Sequence, residues 1–99
     1  MPRGVVSEPN EDRYNLQIAR SAANALSSSL PEKVALAIFE FIIGPLLDNP
    51  QRIGKPLHVP LAPAYSARRG SYRVVFLIDD ETRTVKVTAI AHRSDAYRT

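Results

Sequence analysis

The chain contains no cysteine. Disulfide staples and thiolate chemistry are excluded, and a small chain without disulfides reads as cytoplasmic. There are two histidines, His58 and His92, too few and too far apart to hold a metal, so neither a metal nor any other cofactor is expected. No apolar run approaches the roughly 18 residues that a membrane span needs. No apolar h-region near the N-terminus marks a signal peptide, so no membrane partner is expected. Internal repeats and low-complexity segments are also missing.

What remains is enough for one domain. The 99 residues, 44% of them apolar, fit a single modest core and argue against wholesale disorder. The net charge of +3 is unevenly spread. Residues 1–50 carry four Lys/Arg against six Asp/Glu, a balance of −2, and residues 51–99 carry nine against four, a balance of +5. Seven of those nine are arginines: Arg52, Arg68, Arg69, Arg73, Arg83, Arg93 and Arg98. Arginine presents a planar fork of donors that fits phosphate and keeps its charge at any physiological pH. A cationic half therefore points to a polyanionic or acidic partner, with a solvated charged face as the plainer reading.

Residues 1–12, with two prolines and a glycine, read as a flexible tail ahead of a single domain at 13–99. From Arg13 to Arg20, Tyr14, Leu16 and Ile18 alternate with Asn15, Gln17 and Ala19, the period of a half-buried strand. Ser21 offers an N-cap hydroxyl for a short helix through Ala22, Ala23, Ala25 and Leu26. Pro31 opens a second helix, in which Val34, Ile38, Phe41 and Ile42 form one apolar stripe. That helix should end or kink at Gly44-Pro45 and stop by Asp48-Asn49-Pro50. Residues 49–64 read as a long loop. Tyr65–Arg69, Tyr72–Ile78 and Arg83–Ala91 read as strands, joined by turns at Gly70-Ser71 and Asp79-Asp80-Glu81. In the last strand Val85, Val87 and Ala89 alternate with Lys86, Thr88 and Ile90. The expected fold is α+β: an N-terminal strand, an antiparallel helical hairpin, then a three-stranded antiparallel meander with the helices on one sheet face. The meander's Arg68, Arg69, Arg73 and Arg93 are assigned to the opposite face.

An ordered set of segments carries a resemblance. Gly54-Lys55-Pro56-Leu57, then Tyr65-Ser66-Ala67-Arg68-Arg69-Gly70-Ser71-Tyr72-Arg73-Val74-Val75-Phe76, then His92-Arg93 followed by Tyr97, resemble the RelE branch of the RelE/ParE toxin superfamily. The likeness runs from about Tyr14 to Arg98 and includes Gly44-Pro45-Leu46 and Asp48-Asn49-Pro50. It implies a RelE-like fold and a toxin of a type II toxin–antitoxin system. It also implies metal-independent cleavage of mRNA in the ribosomal A-site, a 2′-OH attacking its own neighbouring phosphate, so the implied partners are the ribosome, mRNA and a small, acidic, partly disordered antitoxin.

By that resemblance Arg73 is a phosphate-binding catalytic arginine and Arg93 the second one. Tyr97 is the tyrosine that stacks on a base and takes part in proton transfer, and Lys55, Arg68, Arg69 and His92 supply further contacts to RNA. In one place the chain departs from the family pattern. The strand before the arginine reads Tyr65-Ser66-Ala67-Arg68-Arg69 where the best-studied members carry two lysines, and arginine is a poor general base. Tyr97 and His92 are the candidates for that role. Two other readings stay open: a ParE-like poison of DNA gyrase, and a non-catalytic basic RNA-binding module.

Overall fold

The computed structural model describes residues 13–59 and 61–92. The 1–12 segment, Arg93 and Tyr97 lie outside the described residues. The chain runs β1 (Asn15–Ile18), α1 (Arg20–Asn24), α2 (Glu32–Phe41), α3 (Pro50–Ile53), β2 (Lys55–Pro56), β3 (Tyr65–Arg69), β4 (Tyr72–Asp79) and β5 (Thr84–His92).

β1 turns into α1 with a single residue between them. The backbone N–H of Ala19 donates to Val87 O at 2.8 Å, and Ala19 O accepts the first helical bond from Ala23 at 2.9 Å. That leaves Ser21 inside the first turn. Contrary to the expected cap, no side chain caps α1; the N-cap is Ala19, and the Ser21 hydroxyl donates instead to Thr88 O at 3.1 Å. Beyond Asn24 the helix widens into a π turn over Ala25–Ser29, closed by Leu30 N–H to Ala25 O at 3.0 Å. Ser27 and Ser28 hydroxyls both donate back to Asn24 O, the local competition that loosens a helix at serines.

α2 turns its Val34–Ile38–Phe41–Ile42 stripe to the sheet, and Ile38 and Ile42 are at most 1% exposed. Pro45 removes a helical donor, yet the chain does not stop there. It passes Gly44-Pro45 as a π stretch over Ile42–Leu46, where Leu47 N–H reaches Ile42 O, and ends ahead of Asn49. Pro50 then starts α3 at its first position, where a missing N–H costs nothing.

The five strands lie in the order β1-β5-β4-β3-β2. The fold is α+β with helices packed on one face, as the sequence implied. Its sheet is mixed in detail: β1 joins β5 in parallel, Asn15 beside Thr84 through Ile18 beside Val87, while the other pairs are antiparallel. The expected 49–64 loop is corrected as well, because it contains α3 and the two-residue strand β2, which borders Tyr65 and Ser66. Ile38, Ile42 and Leu46 pack on Val74, Phe76, Val85 and Val87, all at most 1% exposed, and these form the heart of the core.

β5 carries a bulge. Phe76 pairs with Val87 but Val75 with Ala89, which leaves Thr88 as the extra residue. Its hydroxyl donates to Val75 O at 3.2 Å. The simple alternation expected along β5 therefore breaks, and Ile90, paired with Val74, joins the core side in place of Ala89. At the other end Arg13 pairs with Asp48 at 2.7 Å, tying β1 to the exit of α2. Among the described residues, no helix is long and apolar enough to cross a membrane.

Candidate functional site

One face of the sheet is covered by the helices and the other is open. Strand alternation decides which side chains go where. On β4, Val74 and Phe76 are fully buried under the helices, so Arg73, Val75 and Leu77 point to the open face. On β3, Ala67 faces Val74 and is 3% exposed, which turns Ser66 and Arg68 outward with Arg73. Arg68 and Arg73 are direct cross-strand partners. Like charges opposed across a ladder cost a few tenths of a kcal/mol or more, and an anion between them would relieve that cost. Lys55 on β2 is paired with Ser66 and lies on the same face. Three of the sequence-selected residues, Lys55, Arg68 and Arg73, thus come together. Ser66, Val75, Ala89 and Ala91 form a floor of small and aliphatic side chains between and beside them.

Two of the selected residues are elsewhere. Arg69 is paired with Tyr72 and falls on the helix side, where both border a shallow hollow with Val34, Ala37 and Ile38. The expectation that Arg68, Arg69 and Arg73 share one face is corrected accordingly: a residue and its neighbour in a strand point opposite ways. His92 is also paired with Tyr72 and meets its ring edge-on, centroids 5.4 Å apart. Arg68 stands where β3 has no outer partner, since β2 covers only Tyr65 and Ser66, and it also borders a hollow with Glu40, Phe41 and Pro45.

The nearest acidic turn is otherwise engaged. Asp80 accepts from the Tyr14 hydroxyl at 2.6 Å and from Gln51 Nε2 at 2.8 Å. Asp79 accepts the backbone N–H groups of Glu81 and Thr82 at 3.0 and 3.3 Å. Arg83 lies over the Tyr14 ring, 4.5 Å from its centroid. Asp79 is also six residues from Arg73 along β4, about 20 Å at strand rise, which removes the plain pairing of Arg73 with that turn. Among the described residues, no cluster of three or more His, Asp or Glu could hold a metal.

Gly54 has a structural reason for its place in the motif before Lys55. A Cβ there would collide with the Phe76 ring and crowd Pro50 O at 3.2 Å, so only glycine lets α3 close down on β4. Sequence reading passed over one cation on the open face. Lys86 is exposed between Val85 and Val87, both 0% exposed, and is paired with Leu77 and Gln17. The alternation of Val85, Lys86 and Val87 was the available signal, but a single exposed lysine looks like ordinary solvation until its neighbours are known.

A helical hairpin on a sheet whose open face gathers arginines matches a known class of protein. Residues 16–97 match the family model of the ParE toxin of the type II toxin–antitoxin system parDE. The chain is 52% identical over 85 residues to the toxin RelE of Mycobacterium tuberculosis, covering 86% of this chain and 87% of that one. It is 42% identical over 85 residues to the toxin RelG of the same organism, covering 97% of that protein. The crystal structure of the M. tuberculosis toxin–antitoxin complex RelBE2 superposes with a TM-score of 0.77 at 41% identity, over 82% of this chain and 99% of that one. The chain belongs to the RelE/ParE family of type II toxin–antitoxin toxins.

Proposed function

We propose that this toxin is a ribosome-dependent, metal-independent mRNA endonuclease of the RelE type, held inactive by a cognate antitoxin in the cytoplasm. The observation that carries the reading is the gathering of Lys55, Arg68 and Arg73 on the one sheet face that the helices leave open. In the reaction a ribose 2′ oxygen attacks the adjacent phosphorus and the P–O5′ bond breaks. The products are a 2′,3′-cyclic phosphate and a free 5′-OH. A base takes the 2′-OH proton and an acid returns one to the leaving 5′ oxygen.

Arg73 stabilises the charge that builds on the phosphoryl oxygens, with Arg68 and Lys55 beside it. Arg93 is the second arginine of that set. His92 pairs with Tyr72 and meets its ring on the side of the sheet opposite Arg73, so Tyr97 is the first residue to test for proton transfer. The antitoxin is a small acidic protein, partly disordered until it binds. The similarity to a toxin solved together with its antitoxin supports that partner.

The test is translation of a defined message with purified protein, wild type beside Arg73→Ala, Arg93→Ala and Tyr97→Phe, with 5′ ends mapped by primer extension. Cuts within codons that need ribosomes and vanish in both arginine variants are expected. Intact message with unimpaired translation sinks the reading. Because the matched family model is that of ParE, inhibition of gyrase supercoiling is the measurement that would then decide.

A further inference from the structure

The seam between α2 and β3 holds two hollows. One, of about 250 Å³, is lined by Val34, Ala37 and Ile38 of α2 and by Arg69 to Tyr72 of the β3–β4 hairpin. The other, of about 460 Å³, is lined by Ala37, Glu40, Phe41 and Pro45 together with Arg68 and Arg69. They share Ala37 and Arg69, so they run together as one groove. From Val34 to Phe41 it follows two turns of α2, about 10 Å at helical rise. β2 borders only Tyr65 and Ser66, so among the described residues no strand lies outside Arg68 and Arg69, and the groove is open along that edge.

The two walls differ in chemistry. Along α2, Val34, Ala37 and Phe41 are half-buried, so part of each apolar side chain is left to the groove. Arg68 and Arg69, on the β3 wall, are exposed. Glu40 is the one carboxylate lining either hollow, and it forms no ion pair with Arg68 or Arg69. Two arginines against one carboxylate leave the groove cationic. A sugar–phosphate backbone would answer the arginines but gain nothing from the apolar wall. A protein segment that carries both apolar and acidic side chains matches both walls, burying the first and pairing the second with guanidinium forks. A second copy of this chain, with a net charge of +3, brings no complementary charge.

We propose that this groove seats an acidic amphipathic helix of the antitoxin, with apolar side chains against Val34, Ala37 and Phe41 and carboxylates on Arg68 and Arg69. Two turns of groove suit the spacing of anchors one, two and three turns apart that a helix laid in a groove presents. Arg68 is also the cross-strand partner of Arg73, so the same contact withdraws a cation from the open face. The proposal rests on the antitoxin of the reading above and not on its RNA chemistry.

The experiment follows association and dissociation of the purified cognate antitoxin with wild type, Ala37→Glu and Arg69→Glu, their folding checked by circular dichroism. Lys33→Glu, on the exposed surface of α2 and outside both hollows, is the control. Arg69→Glu should slow association and flatten its salt dependence, raising Kd about tenfold. Ala37→Glu sets a carboxylate in the apolar wall and should raise Kd about tenfold through faster dissociation. Without antitoxin, Ala37→Glu should cut message as wild type does, and it should need about tenfold more antitoxin to stop. Lys33→Glu should bind as wild type. If both groove variants bind antitoxin as wild type does, the groove is not its seat and the proposal is overturned, whatever the cleavage assay shows. If they bind antitoxin normally and lose affinity for ribosomes instead, the groove serves RNA and the proposal is likewise overturned. A wild-type chain that binds no antitoxin removes that partner, and the proposal with it.

Discussion

The two faces of the sheet are built from the same strands, and adjacent residues go to opposite fates. On β4, Val74 and Phe76 are fully buried, while Arg73, Val75 and Leu77, which alternate with them, point to the open side. On β5, Val85 and Val87 are buried and Lys86 is exposed. The helix face is fully apolar at its centre and offers no chemistry. The open face is cationic with an aliphatic floor, and at Arg68 and Arg73 it opposes two like charges. The buried core and the open cationic face are separated by the thickness of one strand, so single substitutions can address either alone.

The largest effect should come from the covered face. Phe76→Ala removes the largest fully buried side chain and should cost about 3–5 kcal/mol. Urea unfolding would measure it, and an unchanged midpoint would mean that the helix face is not the seat of stability. Arg73→Ala should do the reverse. Cleavage should fall by about 10²–10³, while stability moves within about 0.5 kcal/mol; a variant that unfolds readily would make Arg73 a structural residue. Gly54→Ala should lie between the two, because the new Cβ meets Phe76 from the α3 side. An overpacking cost of about 1–3 kcal/mol is expected, with message cleavage surviving in the folded fraction. Ser21→Ala is the smallest test. It removes the hydroxyl bond to the bulge at Thr88 O, and about 0.5 kcal/mol should be lost. Faster amide exchange confined to the middle of β5 would show that the bulge is held from α1.

Much of this division was legible in the chain, because alternation and helical spacing are local. The Val34–Ile38–Phe41–Ile42 stripe follows from helical spacing, and the Tyr65–Arg69 and Tyr72–Ile78 strands from the turn at Gly70-Ser71 and the apolar, β-rich run after Arg73. What escaped was set by partners distant in sequence. The bulge exists because Val87 and Ile90 must both reach the core, and the pairing with Val74 and Phe76 decides which residue is squeezed out. β2 has two residues, one of them a proline tolerated at a sheet edge, and so shows no period. Ser21 looks like a cap until Ala19 is found bonded to β5. Within the site, Lys55, Arg68 and Arg73 were found by motif, and their shared face was settled only by register. Lys86 belongs to no motif, and only its place beside Gln17 and Leu77 singles it out.

The parallel pairing of β1 with β5 bears on how the molecule is made. Among the described residues, the first strand of the domain pairs with the last, Asn15 beside Thr84. Such sequence-distant pairing slows folding, because loop closure precedes any gain from the contact. During synthesis from the N-terminus, the helical hairpin emerges without the strands it must pack on, and β1 waits for almost the whole domain. A nascent chain halted before residue 84 lacks one wall of the core and every residue of β5. The core closes only once β5 has been made.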